Sequence, residues 1–371
     1  METTNIYEKK NIGLLISTIC SIDNAELLQQ IKTTFEKNNK TLDIIVVPPQ
    51  TKDVTPFTTW ETPTGVLSKD LLAKVDVAFA ANDVTTGKWA DALALFGAIK
   101  ESNLKWLQIS WIGIDFPIVQ ELLTKQNFMI TNAKGANAMP IATSALAGML
   151  SLNRALNYWM ISKSKKEWAT YNGGKLIRDL PLARRDINNQ IVLIYGFGAI
   201  GQTLGRLCKS LNMQVIGVKR TMIDFDNTFA DKIIQPKDVD MYISEADFVA
   251  ITSPLTPETN GFFGKERLSK MKSSSFLVNV GRGAVCDESA LCELLKTKAI
   301  AGAYLDAFIE EPLPSENELW DLENVIISPH DSATCKDNDN RVIKIFEENM
   351  NNLANSKTLD NIVFKSNNTS L

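Results

Sequence analysis

The sequence predicts an α/β protein of two domains, each a doubly wound parallel sheet, with a ligand-binding cleft between them. Three observations lead to this prediction. The chain has 371 residues, which is long for one ordinary core. Short apolar runs alternate with helix-length segments along most of its length. The runs are continuously apolar rather than alternating, as expected of parallel strands that helices cover on both faces.

The first series of strands occupies the N-terminal third of the chain. Apolar runs predict strands at residues 11–17, 42–48, 75–81, 104–110 and 127–131. The spacers have helical periodicity, as in AELLQQIKTTFEKN at residues 25–38. This third of the chain therefore has the βαβ pattern of a parallel sheet.

A second series of strands begins near Gln190. Its apolar runs predict strands at residues 191–196, 213–219, 247–252, 274–280, 300–306 and 324–329. Two further segments each fit one long amphipathic helix, residues 142–168 and residues 340–355. We therefore expect one domain formed by residues 1–137 and completed by residues 331–371, and a second formed by residues 138–330.

Composition and charge argue against several classes of protein. The net charge is −4, which disfavours the basic face that nucleic acid or an anionic membrane requires. The five cysteines form no C-x-x-C pair and the chain has one histidine, so we expect no metal site. The polar N-terminus and the absence of a long apolar run predict a cytoplasmic protein with reduced thiols.

The stretch IVLIYGFGAIGQTLGRL contains a glycine motif, Gly196-x-Gly198-x-x-Gly201, between a predicted strand and a predicted helix. In that context Gly196 permits a tight turn, Gly198 lets the backbone approach a pyrophosphate, and Gly201 lets the helix pack against the sheet. Ala199 and Ile200 then begin the helix whose N-terminus favours the anion. The motif predicts a dinucleotide-binding loop, and the alternative is a glycine-rich turn that binds no ligand.

The end of the next strand departs from the simplest form of this motif. An acidic residue is expected there to bind the ribose 2′-hydroxyl, whereas this chain has Lys219, Arg220 and Thr221. Two cations and a hydroxyl suit a 2′-phosphate better than a free hydroxyl. We therefore expect NADP(H), with NAD(H) possible if these are only exposed basic residues.

Four further blocks accompany the glycine loop, at residues 253–264, 277–291, 301–320 and 324–330. Together the blocks resemble the D-isomer-specific 2-hydroxyacid dehydrogenase family. Their residues are most similar to those of its glyoxylate/hydroxypyruvate reductase branch. The resemblance implies a flavodoxin-like substrate domain, a Rossmann cofactor domain and a homodimer. It also implies that Ser253, Pro254 and Asp306 belong to the cofactor site.

Three catalytic residues are implied by the same resemblance. They are Arg282 in the N-x-x-R-G block, Glu311 before Pro312, and His330 in S-P-H, the single histidine of the chain. Reduction of a 2-keto acid needs a proton for the developing alkoxide, which an imidazolium can supply near neutral pH.

The other two residue types suit the same chemistry. The carboxylate of Glu311 would orient the His330 ring, and the guanidinium of Arg282 would bind the substrate carboxylate. Each residue also has an ordinary alternative. His330 would then be a structural histidine, Arg282 a surface cation and Glu311 an acid in a loop.

Substrate binding is less clearly marked in the sequence. The resemblance implies that backbone N–H groups of Ile112 and Gly113 bind the substrate carboxylate, while Trp111 either lines the pocket or packs. Two residues depart from the family pattern. Thr143 stands where an acid is common, and Asp331 follows the histidine where a small or apolar residue is usual.

The activity implied is NAD(P)H-dependent reduction of a small 2-keto acid, such as glyoxylate or hydroxypyruvate, to the D-2-hydroxy acid. The partners expected are this small acid and a second copy of the chain, with no nucleic acid and no membrane. The alternative is a dinucleotide-sensing interaction protein, like the transcriptional corepressors of the same family, without metabolic turnover.

Overall fold

The computed structural model divides the chain into two compact units. One unit is Met1–Ala136 with Lys336–Leu371, and the other is Asn137–Cys335. The residues that the structure describes are 5–17, 25–47, 61–62, 65–66, 69–80, 99, 102–110, 113–114, 117–125, 127–168, 185–221 and 227–366.

The first unit is built on a six-stranded sheet. Its strands are β1 (Asn11–Ser17), β2 (Thr41–Val47), β5 (Val77–Ala80), β6 (Trp106–Ile109), β7 (Met129–Thr131) and β15 (Ile362–Lys365); a separate pair is β3 (Glu61–Thr62) with β4 (Gly65–Val66). The order across the sheet is β2-β1-β5-β6-β7-β15, and only β15 is antiparallel to its neighbour. The chain winds outward from β1 in both directions, which is the doubly wound arrangement predicted.

Helices supply the rest of the first core. They are α1 (Ala25–Lys37), α2 (Lys69–Leu72), α3 (Pro117–Leu122) and, from the C-terminal segment, α9 (Asn338–Ala354). Phe346 of α9 stacks on Phe79 of β5 with ring centroids 4.3 Å apart. Stacked aromatic rings of this kind contribute more than their buried area alone. The C-terminal helix is therefore part of the first core.

The second unit contains a seven-stranded sheet in which every neighbouring pair is parallel. Its strands are β8 (Ile191–Tyr195), β9 (Gln214–Val218), β10 (Lys232–Ile234), β11 (Phe248–Ile251), β12 (Phe276–Asn279), β13 (Gly302–Leu305) and β14 (Val325–Ile327). The order is β10-β9-β8-β11-β12-β13-β14. The direction of winding reverses between β8 and β11, where ligands bind in open sheets of this kind. The predicted fold class is confirmed.

The described residues of the second unit form five α-helices. They are α4 (Ala138–Asn153), α5 (Leu156–Ser164), α6 (Ala199–Ser210), α7 (Lys265–Leu268) and α8 (Glu288–Lys296). The prediction of one continuous helix over residues 142–168 is wrong. The helix ends at Asn153, and the buried Ala155 takes a left-handed conformation with φ of 58° before α5 begins. No Gly or Pro marks this break, so the sequence carries no local signal for it.

None of the helices in the described part of the chain combines the length and hydropathy needed to cross a bilayer. Within the same residues, no three or more His, Cys, Asp or Glu side chains are grouped so that they could hold a metal ion.

The close approach of β1 to the segment before β5 provides a test of the first core. A Cβ added at Gly13 would lie 2.1 Å from the backbone oxygen of Lys74. Gly13→Ala should lower the free energy of unfolding by about 1–3 kcal/mol, because overpacking forces the backbone apart. Gly264→Ala is the control, since its nearest neighbour would be 3.5 Å away. Equal urea midpoints for the two variants would contradict the expected strain.

Candidate active site

The candidate site residues of the second unit follow the carboxyl ends of its parallel strands. Because those strands are neighbours in one parallel sheet, the residues that follow them meet at one edge. The positions concerned are Gly196 after β8, Lys219 after β9, Ser253 after β11, Arg282 after β12, Asp306 after β13 and His330 after β14.

Two glycines of the loop after β8 are required by packing within the chain. Gly196 has a φ of 101°, and a Cβ there would lie 2.6 Å from the Cα of Ser253. A Cβ at Gly201, on α6, would lie 2.6 Å from the backbone oxygen of Gly196. The hydroxyl of Thr252 also donates to that oxygen at 2.8 Å. The loop is therefore clamped between α6 and the residues after β11.

Gly198 has no such explanation in the chain itself. Its φ of −89° is open to any residue, and a Cβ there would meet no atom within 4 Å. It is exposed and is the N-cap of α6, without a side-chain capping bond, so the first N–H groups of α6, including those of Ala199 and Ile200, have no acceptor within the helix. The nearby hydroxyl of Ser253 is buried and has no hydrogen-bond partner. Open space beside unpaired donors fits the pyrophosphate of a dinucleotide.

The basic residues after β9 lie opposite an acid. Arg220 and Glu258 are 4.0 Å apart, with side chains that are 78% and 67% exposed, so the pair is weak. A hydrogen bond from the hydroxyl of Thr256 is the main cause that lowers the pKa of Glu258, and the charge of Arg220 adds to it. The backbone N–H of Lys219 donates to Ile234 of β10, which ties this strand end to the sheet.

His330 and Glu311 form the central pair of the candidate site. The ring Nδ1 lies 2.7 Å from Oε2 of Glu311, and the two side chains are 42% and 35% exposed. The other carboxylate oxygen, Oε1, accepts the backbone N–H of Phe308 at 2.9 Å. The main chain therefore orients the carboxylate, and the carboxylate orients the imidazole.

Asp306 holds the loop that carries His330. Its side chain is buried, and its Oδ1 accepts the hydroxyl of Ser328 at 2.6 Å and the backbone N–H groups of Asp331 and Ser332 at 3.0 and 3.1 Å. The hydroxyl of Ser332 donates to Oδ2. Its contacts in the chain are therefore with this loop, and its assignment to the cofactor site stays a prediction.

Arg282 joins the same region through the main chain. Its Nη1 donates to the carbonyl of Gly281 at 2.9 Å, and the amide of Asn279 donates to the Arg282 carbonyl at 3.1 Å. A Cβ at Gly283 would lie 2.0 Å from the backbone of Phe308, the residue whose N–H binds Glu311. The structure thus brings the Arg282 loop against the segment that positions the His330–Glu311 pair.

The two departures from the family pattern have local hydrogen bonds. Thr143 is exposed on α4, and its hydroxyl donates back to the carbonyl of Met139 at 2.9 Å. The carboxylate of Asp331 accepts the hydroxyl of Thr334 and closes a turn, in which the Thr334 N–H also donates to the Asp331 carbonyl at 3.0 Å.

The remaining predicted residues are placed as follows. Trp111 and Ile112 lie outside the described residues. Gly113 is half-buried and belongs to the first unit, after β6. Pro254 is exposed, and its carbonyl accepts the hydroxyl of Thr259 at 2.8 Å. The sequence did not single out Ser328 or Ser332, although both flank the only histidine in a short polar segment.

Comparison with known proteins identifies the family. Residues 146–332 match the model of the D-isomer specific 2-hydroxyacid dehydrogenase, NAD binding domain. The chain belongs to the D-isomer-specific 2-hydroxyacid dehydrogenase family.

Individual relatives extend the similarity beyond that domain. The glyoxylate reductase of Thermococcus litoralis is 30% identical over 308 residues, which are 82% of this chain and 89% of that protein. The D-3-phosphoglycerate dehydrogenase of Methanocaldococcus jannaschii is 28% identical over 309 residues, 82% of this chain and 55% of that protein. The chain thus spans about half the length of this second relative.

Solved structures share the fold. A family member from Aeromonas salmonicida superposes with a TM-score of 0.67 at 24% identity, covering 96% of this chain and 99% of that one. One from Xanthobacter autotrophicus, in complex with NADPH and MES, gives 0.65 at 20% identity and covers 95% and 97%.

The open space at Gly198 leads to a prediction that separates ligand binding from folding. Gly264 is also a helix N-cap glycine free of clashes. Gly198→Ala and Gly264→Ala should each change the free energy of unfolding by about the same few tenths of a kcal/mol, so their melting temperatures should agree within about a degree or two. The Kd of Gly198→Ala for NADPH should rise roughly 5- to 150-fold, because a methyl group in the ligand space costs about 1–3 kcal/mol. Fluorescence titration measures this, and an unchanged Kd would place the pyrophosphate elsewhere.

Proposed function

We propose that the protein is an NAD(P)H-dependent reductase that converts a small 2-keto acid, of the glyoxylate or hydroxypyruvate type, to the D-2-hydroxy acid. The observation that carries the proposal is the 2.7 Å pair of His330 and Glu311 at the end of β14. The pair and the glycine loop follow strands of the same parallel sheet, so the proposed proton donor and dinucleotide site share the edge formed by its carboxyl ends.

His330 is the proton donor of the proposed reaction. Glu311 engages Nδ1, which leaves Nε2 as the ring nitrogen available to a substrate. The carboxylate keeps the ring in one orientation, from which the imidazolium can donate its proton to the developing alkoxide. The nicotinamide, when bound, supplies the hydride that C2 of the keto acid receives.

Arg282 is the substrate-binding cation. Its loop is fixed by the amide of Asn279, and one guanidinium nitrogen is held by the Gly281 carbonyl. The planar fork retains further N–H groups, which can bind a carboxylate and polarise the neighbouring keto oxygen. As the family resemblance implies, backbone N–H groups of Ile112 and Gly113 would also bind the substrate carboxylate.

Lys219, Arg220 and Thr221 favour NADP(H) over NAD(H). They follow β9, the position from which this fold contacts the adenosine ribose. Two cations and a hydroxyl provide charge-assisted hydrogen bonds for a 2′-phosphate. Within the same fold, the Xanthobacter autotrophicus protein binds NADPH.

The relatives support an enzyme rather than a dinucleotide-sensing interaction protein. Those reported above are named as a reductase and a dehydrogenase. We further propose a homodimer, as the family resemblance implies, and a cytoplasmic location, where the scattered cysteines would stay reduced.

Removal of the imidazole tests the proton-transfer step. His330→Ala should lower kcat for NADPH oxidation with glyoxylate or hydroxypyruvate by roughly 10²–10⁴-fold, the usual contribution of a positioned acid–base group. The Kd for NADPH should not change. A wild-type protein that turns over no 2-keto acid with either dinucleotide would reject the function itself. An active His330→Ala variant would reject only the role of the histidine.

Reversal of the charge after β9 tests the cofactor preference. Lys219→Asp combined with Arg220→Ala should shift the ratio of kcat/KM for NADPH over NADH toward NADH, because the cations that bind the phosphate are lost. The matched control is Lys163→Asp with Lys166→Ala, which makes the same change in charge near the end of α5. A ratio that moves equally in both variants would show a general charge effect and exclude a phosphate site here.

A further inference from the structure

Tyr304 of β13 brings a hydroxyl into the interior of the second unit. Its side chain is 5% exposed. The hydroxyl lies 2.6 Å from Oγ of Ser144 on α4 and 2.9 Å from Oγ of Ser328, two residues before His330. The tyrosine therefore joins a helix to the loop that carries the histidine.

The direction of these hydrogen bonds follows from the number of hydrogens. Ser328 donates its single hydroxyl hydrogen to Oδ1 of Asp306 at 2.6 Å, because an ionised carboxylate can only accept. Ser328 must then accept from Tyr304. Tyr304, having donated its own hydrogen, must accept from Ser144. The chain of donors runs one way, from α4 into the buried carboxylate.

The far end of this chain is the backbone beside the histidine. Oδ1 of Asp306 also accepts the N–H groups of Asp331 and Ser332, the two residues that follow His330. His330 itself has a φ of 53°, an uncommon conformation for a residue with a side chain. Such a conformation persists when the surrounding structure holds it. Here the hydrogen bonds on both sides of the residue do so.

Helix α4 is shaped to receive the tyrosine ring. Gly148 lies inside the helix, where glycine is less favourable than alanine. A Cβ at Gly148 would lie 2.4 Å from Cγ and from Cδ1 of Tyr304. Ser144 is one turn earlier on the same face of α4, where it meets the hydroxyl. The glycine and the serine thus fit the ring and the hydroxyl respectively.

We propose that Tyr304 is a positioning residue for His330, acting through a relay formed by Ser144, Tyr304, Ser328 and Asp306. A phenylalanine would fill the same space, so the specific contribution of the tyrosine is the pair of hydrogen bonds made by its hydroxyl. Without that hydroxyl, Ser328 loses a donor and its restraint on Asp306 weakens. The effect on turnover rests on the proposed function, whereas the effect on the orientation of His330 does not.

A single histidine makes the test specific. In protein without a polyhistidine tag, labelling with ¹⁵N- and ¹³C-histidine reports on His330 alone in an NMR spectrum. Tyr304→Phe should broaden or split the ring signals at fixed pH. With glyoxylate as substrate, kcat should fall about tenfold, less than the roughly hundredfold cost of a 1 Å misplacement. The Kd for NADPH should stay that of the wild type.

Three further variants show whether a change in kcat and in the ring signals of His330 arises from the relay. Tyr242→Phe removes a hydroxyl that accepts from Lys232, remote in sequence from the relay, and should leave both kcat and the ring signals unchanged. Gly148→Ala keeps the Tyr304 hydroxyl but displaces the ring, and should reproduce the effects of Tyr304→Phe. Ser144→Ala keeps the bond to Ser328 and should give a smaller change of the same kind.

Two outcomes would overturn the proposal. One is a folded Tyr304→Phe protein with wild-type ring signals and kcat. The other is a lower melting temperature with those two readouts unchanged, which would reduce Tyr304 to packing. If Tyr304→Phe does not fold, Ser144→Ala provides the same readouts with the ring retained, and its unchanged ring signals would equally overturn the relay. Failure of the proposed function would instead be seen as an inactive wild type.

Discussion

The buried carboxylate of Asp306 is the interaction on which the geometry of the candidate site depends. It accepts the hydroxyls of Ser328 and Ser332 and the backbone N–H groups of Asp331 and Ser332. Charge-assisted hydrogen bonds of this kind are about twice as strong as neutral ones. They also satisfy a charge that would otherwise be costly to bury. The histidine loop is thereby fixed from within its own domain.

Carboxylates surround the single histidine, but they act differently. Glu311 binds the ring, and Asp306 binds the backbone after the histidine and the hydroxyl of Ser328 before it. Asp331, adjacent to the histidine, accepts the hydroxyl of Thr334 and closes a turn. In the sequence, this acid is an unusual charge next to the histidine that we propose as the proton donor. Its hydrogen bonds give it a structural role in the turn that follows the site.

The sequence predicted the elements with strong local signals and missed those set by distant partners. The continuously apolar runs located eleven of the strands, because burial on both faces leaves a clear pattern. It did not predict β3 and β4, which have two residues each, β10, which has three, or β15, whose side chains are largely exposed. The left-handed Ala155 carries no Gly or Pro signal. Likewise, the bond from Ser328 to Asp306 spans 22 residues, so no local pattern encodes it.

The glycine motif shows why a sequence pattern alone does not separate folding from binding. The sequence does not distinguish the three glycines of the motif. In the structure, Gly196 and Gly201 are required by contacts within the chain. Gly198 meets nothing within 4 Å and has an ordinary backbone conformation. A helix N-cap more often carries Ser, Thr, Asp or Asn, whose side chains would satisfy its free N–H groups. A glycine at this cap leaves those groups open to the pyrophosphate of the proposed dinucleotide.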